Sequence, residues 1–492
     1  MAEEDQPSKR VKTDTKDQSN NHALEMATPL SHILTRETTD PAVFHEAVWG
    51  RVFNRRRDTS RVPRAVVGAS CVAHVREAVE LANRLQCRVS VRSGGHSWAA
   101  WSVRHDAVLV DLGGLGRMEY DSRTRIVSCS PSVTGEVLNG FLKGEGRMFA
   151  GGHCPDVGLG GFLLQGGMGW NSKNWGWACE SIIGIDVVTA EGRELYCSNT
   201  ENSDLFWAVR GAGPGFPAIV TSFHLLTRPL LQMFNSVYIY PRSMFRTVLQ
   251  WVIDTCPTAD SDTEIVCVAK RTADGSDIEI IAGFLSFKPS KEEAERVMQH
   301  VRDSRPAGAK VEVFCEPTDF ACQYAGQRDE QPTGYRFCSE NAYVGNDVDD
   351  VPDVLEKAFT SLPTQKSFAL YFAMNPTSRR PLPAMAHSMQ SDHYFAVYTI
   401  WDDDAVDEAR CTGWVRGIMK DVERHSVGSY MGDADFQHRT TRFWSKENGE
   451  RLRDVRRKWD PAGRICGYLD ADDSSGVQGL RNEFEWVAGI DE

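Results

Sequence analysis

From Ala65 onward the apolar and polar positions fall into blocks whose period changes from two to 3.6 and back. A short apolar run opens at Ala65. Between Cys71 and Gln86, Val72, Val75, Val79, Ala82 and Leu85 share one helical face, and Arg88 to Arg92 then alternates as a strand. Together these predict a strand-helix-strand unit. The turn Ser93-Gly94-Gly95-His96-Ser97 follows, then strands over Ala107 to Asp111 and Ile126 to Ser130. Between Gly144 and Gly169 the periodicity is lost under ten glycines (144, 146, 151, 152, 158, 160, 161, 166, 167 and 169), and no helix or strand is expected there. Regular pattern resumes with a strand over Gly184 to Ala190, a Glu191-Gly192 turn and a return strand over Arg193 to Cys197. A short helix around Leu205 to Val209, opened by Ser203 or Asp204, and a strand over Ile219 to Leu226 come next.

After Pro229 the glycines thin out. Strands over Ile265 to Ala269, Ile278 to Phe287, Ser367 to Ala373 and Tyr394 to Ile400 alternate with helices over Lys291 to Arg302 and Ala405 to His425. This predicts a second domain, a mainly antiparallel sheet with helices on one face. A last helix runs from Trp444 to Trp459 and stops at Pro461. The expected division is a polar tail over 1–29, a first domain over 30–229, a second over 230–429, and a returning segment over 430–492.

Composition narrows the function. A chain of 492 residues with 41% hydrophobic residues can fill two or three cores. A formal net charge of -13 would repel nucleic acid and anionic lipid, so neither is expected as a partner. No stretch reaches the roughly 18 to 20 apolar residues of a spanning helix. The first 25 or so residues lack the apolar core of a secretory signal, which points to an intracellular, cytoplasmic protein. Lys9-Arg10-Val11-Lys12 leaves a nuclear address open. Thirteen cysteines without CxxC pairs argue for reduced core thiols rather than a disulfide framework or a zinc ribbon, and no metal site is expected.

There is no GxxxxGK[ST] phosphate loop and no HExxH zinc pair, and Gly95-His96-Ser97-Trp98-Ala99 lacks the second glycine of a hydrolase elbow. Gly211-Ala212-Gly213-Pro214-Gly215 is interrupted by proline and preceded by a helix, unlike a nicotinamide fingerprint. The glycine segments offer unhindered backbone N–H groups that could wrap a pyrophosphate even in an acidic protein. Each could equally be a tight surface loop. His96 and Cys154 both stand among small residues, where a side chain could reach a ligand, and the adjacent His153 is expected to lower the Cys154 pKa. For either residue taken singly, a structural role stands beside the functional one.

Taken together, these segments resemble the berberine-bridge-enzyme-like branch of the vanillyl-alcohol-oxidase flavoprotein family, closely over residues 30 to 228. The R-S-G-G-H loop stands as Arg92-Ser93-Gly94-Gly95-His96. The G-x-C-x-x-V-G-x-G-G loop stands as Gly152-His153-Cys154-Pro155-Asp156-Val157-Gly158-Leu159-Gly160-Gly161. Downstream, Gln165-Gly166-Gly167-Met168-Gly169 with Gly176, the run Leu205 to Gly213, and the closing helix Trp444 to Pro461 resemble further family segments.

The resemblance implies an α+β fold: a PCMH-type FAD-binding domain of two α/β subdomains, and a substrate domain built on a large antiparallel sheet covered by helices. It implies FAD bonded covalently through His96 and Cys154. Arg92, Ser93, Gly94, Gly95, Ser97, Val157, Gly158, Gly160, Gly161, Gly166, Gly167, Gly169 and Ile185 complete the expected cofactor-binding set. Val157 falls where oxidases of the family carry a small residue that admits dioxygen.

Three departures stand out. The family's Y-x-N-Y-x-D segment reads Tyr430-Met431-Gly432-Asp433-Ala434-Asp435, so aspartate replaces the second tyrosine; Phe162 replaces a histidine; Pro217 replaces a glycine. Asp433 becomes the first candidate for the catalytic base, with Tyr430, Tyr398 and His393 behind it. Tyr371, Phe372, Tyr394 and Phe395 are candidates for an apolar pocket wall. The function implied is oxidation of a small alcohol, amine or activated C–H substrate, a secondary-metabolite intermediate, by a monomer that hands the electrons to O2 and releases H2O2. Oligosaccharide or hexose oxidation, cyclisation without net oxidation, and a regulatory flavin-binding role are the alternatives.

Overall fold

The computed structural model describes residues 32–467, apart from 403–404, 437–438 and 440; the basic cluster at Lys9 to Lys12 and the residues after 467 lie outside the described part. The chain builds three main sheets. The first has four strands in the order Ile33–Thr35, Ala65–Gly68, Val108–Asp111, Val89–Arg92, the last three parallel. Helix Val72–Leu85 packs on it through Val75, Ala78, Val79 and Ala82, close to the face its periodicity predicts. The second sheet is antiparallel, in the order Met118–Asp121, Ile126–Cys129, Ala218–Leu226, Ile182–Thr189, Glu194–Cys197.

The third sheet has eight antiparallel strands drawn from Gln232 to Gly428, with Thr263–Arg271, Phe368–Ala373 and His393–Trp401 adjacent near its centre. Its two faces follow from the period of two. On His393–Trp401, Tyr394, Ala396, Tyr398 and Ile400 join the core shared with the first half of the chain. Phe395, Val397 and Trp401 join a separate core under helices Phe245–Thr255, Val351–Thr360 and Ala405–Val422. Helices therefore cover one face, and the other looks toward the first half of the protein.

The carboxyl-terminal helix Lys446–Trp459 crosses back onto helix Ser203–Val209. The chain beyond it pairs with the parallel sheet: Val89 N–H donates to Arg464 O at 2.8 Å, and Cys466 N–H to Val89 O at 2.8 Å. The α+β expectation is met.

The glycine-rich stretch departs from the sequence reading, with a short strand at Arg147–Met148. Leu159–Leu164 forms a short helix inside the glycine-rich stretch, where none was expected. Its glycines each cost about 1 kcal/mol of helix propensity, yet they let the helix sit at backbone distance from its neighbours. A Cβ on Gly160 would lie 2.7 Å from Ser93 Oγ.

Candidate active site and cofactor cradle

A cavity of about 710 Å³ runs between the two glycine-rich loops and the open face of the eight-stranded sheet, within the size range of cofactor and substrate sites. The loops meet back to back: a Cβ on Gly94 would lie 2.5 Å from Gly158 N, and one on Gly158 would lie 2.7 Å from Gly94 N. Any side chain at either position would force them apart. Gly95 has φ of +88°, a conformation that favours glycine, and its carbonyl accepts from Phe53 N–H at 3.1 Å. Arg92, fully buried, caps the last carbonyls of helix Pro41–Trp49 at Val48 O (2.5 Å) and Ala47 O (2.6 Å) and bonds Asp111 at 2.7 Å. It anchors the His96 loop to the parallel sheet.

Most of the expected cofactor set lines the cavity: Arg92, Ser93, Gly94, Gly95, His96, Ser97, Cys154, Val157, Gly158, Gly160 and Gly161. Gly166, Gly167, Gly169 and Ile185 do not. The first three form the turn behind it: Gly167 O accepts from Ala178 N–H at 2.8 Å, and a Cβ on Gly169 would lie 2.3 Å from Ala150 O; Ile185 lies in the antiparallel sheet. Phe162 lines the cavity and wedges against Gly152 and Gly167.

His96 and Cys154 open onto the same cavity. The His96 ring is stacked on Phe53, centroids 4.2 Å apart, with Nε2 3.2 Å from Asp156 Oδ2. Cys154 Sγ donates to Gln331 Oε1 at 3.4 Å. Here the sequence expectation fails. Burial raises the Cys154 thiol pKa, and the carboxylates of Asp156 and Asp433 raise it further. His153 does not lower it, because its Nε2 is turned to Glu264, 2.9 Å from Oε1 and 3.1 Å from Oε2. Glu264 Oε2 also accepts from Asn171 N–H at 2.5 Å. This His153–Glu264 pair lines the cavity, and neither its geometry nor Glu264 was foreseen.

Opposite stands Asp433. Tyr394 Oη donates to its Oδ2 at 2.5 Å, and Tyr398 donates to the same carboxylate. Burial raises the Asp433 pKa, and the two tyrosine hydroxyls with nearby His153 offset the rise only in part. The segment is clamped from strand Arg336–Val344: Asn341 Nδ2 donates to Tyr430 O and accepts from Tyr430 N–H through Oδ1, both at 2.7 Å, and Ser339 Oγ donates to Asp433 O at 2.9 Å. Tyr430 also lines the cavity, but its hydroxyl accepts from Met168 N–H at 3.1 Å. It ties the Gly166–Gly169 turn to the Asp433 segment.

His393 is misplaced for the base role. It lies one residue out of phase with Tyr394 and Tyr398 on the same strand, faces the helical layer and shares a 2.8 Å hydrogen bond with Tyr371 Oη. The same alternation divides the expected aromatic wall: Phe372 and Tyr394 line the cavity, while Tyr371 and Phe395 pack beneath the helices.

A family model described as an FAD binding domain matches residues 63–198. FAD-linked oxidoreductase ptmO of Penicillium ochrochloron is 37% identical over 428 residues, 87% of this chain and 94% of that protein. FAD-linked oxidoreductase janO of Penicillium janthinellum is 37% identical over 453 residues, 91% of this chain and 100% of that one. The chain belongs to the family of FAD-linked oxidoreductases that these relatives represent. Its fold is shared with 6-hydroxy-D-nicotine oxidase from Arthrobacter nicotinovorans (TM-score 0.76, 18% identity, 90% of this chain and 98% of that one) and with a BBE-like protein of Physcomitrella patens (TM-score 0.75, 17% identity, 88% and 95%).

For a member of this oxidoreductase family, the cavity's composition suits the flavin it must hold. The loops cross at Gly94 and Gly158 in direct backbone contact, and beside that crossing a Cβ on Gly161 would meet nothing within 4 Å. The imidazoles of His96 and His153 and the thiol of Cys154 face that room from these loops, with His153 held by Glu264. The carboxylate and phenols that could handle a substrate proton come from the sheet and its returning segment, so cofactor and proton chemistry arrive from opposite sides.

Proposed function

We propose that this oxidoreductase carries FAD bonded to both His96 and Cys154 and oxidises a small secondary-metabolite intermediate at the expense of dioxygen. The observation that carries the reading is that His96, Cys154 and the Asp433–Tyr394–Tyr398 cluster open onto one cavity. When bound between these residues, FAD would supply the hydride acceptor and the two-electron route to O2 that yields H2O2.

The chain's own residues supply the rest. Asp433 receives the proton of the substrate O–H or N–H through Oδ1 or Oδ2, while Tyr394 and Tyr398 keep its carboxylate available by donating to it. Tyr430, bound to Met168 N–H, holds the loop in place rather than accepting the proton. Val157 leaves the cavity wall small where dioxygen must enter. On the sheet side, Val266, Val268, Leu370 and Phe372 present apolar surface, which favours a substrate poor in hydroxyl groups over an oligosaccharide. We place the enzyme inside the cell as a monomer, with no nucleic acid or membrane partner.

The test is a screen of candidate substrates by oxygen electrode with peroxide detection. Stoichiometric O2 uptake and peroxide release support the oxidase reading. Product formed without O2 uptake moves the protein to the non-oxidative alternative.

A further inference from the structure

We propose that Asp156 is the positioning base for covalent attachment of the flavin to His96: it holds the imidazole proton on Nε2, leaves Nδ1 as the nucleophile, and takes the Nε2 proton as the bond forms. The inference rests on the reading that His96 is a covalent flavin ligand. It assigns the maturation step to a residue with no part in substrate turnover.

The geometry carries it. Asp156 Oδ2 lies 3.2 Å from His96 Nε2, and the ring has no other hydrogen-bond partner among the described residues, so the lone pair on Nδ1 is left free. Phe53 stacks on the ring at 20° between planes, and Phe53 N–H is held by Gly95 O, which fixes the plane in which that lone pair points. The His96 side chain is only 14% exposed, whereas that of Asp156 is 47% exposed, so the carboxylate reaches both the imidazole and solvent. Partial burial pushes the Asp156 carboxyl up, but the hydrogen bond from the His96 ring, a backbone amide and the charge of Arg328 pull it down. Asp156 therefore stays ionised and able to accept a proton.

The step balances. At the flavin 8α carbon one C–H bond breaks with loss of a proton, and the bond from Nδ1 to that carbon forms. The ring system ends two electrons reduced, and Nε2 gives its proton to Asp156. Dioxygen then removes two electrons and two protons as hydrogen peroxide, restoring oxidised flavin. Without the carboxylate, the proton on Nε2 must pass to water, and either ring nitrogen can carry it.

The test uses the full-length chain in a Cys154→Ala background, where His96 is the sole covalent site, and follows flavin bound to the His96 peptide after denaturation and proteolysis. Cys154→Ala alone should retain flavin on that peptide. Adding Asp156→Asn should slow attachment about 100-fold at neutral pH, with the unattached FAD still bound and released by acid as intact yellow cofactor. The rate should recover as pH rises from 6 to 9, and Asp156→Glu should attach faster than Asp156→Asn. Attachment in Asp156→Asn at the parent rate, or a deficit accompanied by loss of bound FAD and insensitive to pH, would overturn the proposal. Absence of flavin from the His96 peptide in Cys154→Ala itself would instead overturn the covalent reading on which it rests.

Discussion

Tyr394→Phe removes one of the two hydroxyls that donate to Asp433 while leaving the aromatic ring against Tyr343 and Tyr430. A hydrogen bond to a charged acceptor is worth about 1.5–3 kcal/mol, and one pKa unit corresponds to about 1.4 kcal/mol. Burial already raises Asp433, and the hydroxyls oppose it. Losing one should therefore raise the carboxyl pKa by a further one to two units or so. Because the base must be deprotonated to act, the acid limb of kcat/KM should move to higher pH by that amount, with a plateau at high pH closer to wild type. Oxygen uptake across pH reads the limb. Infrared titration of the substrate-free enzyme reads the carboxyl directly, through the C=O band that Asp433→Asn abolishes. A limb that stays put or moves to lower pH would refute the assignment of Asp433 and the opposing roles given to burial and Tyr394.

Four other outcomes follow. Asp433→Asn should lower kcat by about 10²- to 10⁴-fold with FAD content unchanged, measured by oxygen uptake against flavin absorbance. Gly158→Ala should cost FAD before fold, because its Cβ would lie 2.7 Å from Gly94 N; the check is cofactor content beside a circular dichroism melt. Asp435→Ala takes the fully buried partner from the mostly buried Arg56, which keeps Glu408 at 3.4 Å, and should destabilise by about 1.5–3 kcal/mol, seen as a lower denaturation midpoint. His387 is buried against Trp177 with no partner on Nε2 among the described residues, and burial lowers its pKa from 6.5 to about 3. The unfolded state thus binds its proton first, so its contribution to stability is present above pH 6.5 and is lost as pH falls toward 3, by roughly 1 kcal/mol per unit. In His387→Gln that acid slope should flatten, as read by denaturant titration at pH 7, 5 and 4.

The cofactor side of the site was legible because its signal is local. Arg92 to Ser97 and Gly152 to Gly161 each place their residues within one turn, and the backbone that glycine permits there is what brings the two loops to contact. The proton side was only half legible. Asp433 was named from a substitution in a short segment, but its environment comes from strands dozens of residues away. Strand Arg336–Val344 could not be read as a strand from apolar alternation, because Ser339, Glu340 and Asn341 interrupt it. Ser339 and Asn341 are buried as the clamp on Tyr430 to Asp433, a use that the strand's own sequence does not betray. Helix Phe320–Glu330, which brings Gln323 and Gln327 to the cavity, buries only Tyr324 and so lacks the apolar stripe that would announce it. His393, Tyr371 and Phe395 lie one residue out of phase with the cavity wall, a displacement that side-chain alternation makes total and only the pairing register corrects.

The measurement that tests the central claim most directly is the intact mass of the denatured protein and of its His96→Ala, Cys154→Ala and doubly substituted forms. The account predicts a chain heavier by one FAD in wild type and in each single variant, and an unmodified chain in the double. An unmodified wild-type chain that binds FAD only reversibly would contradict it.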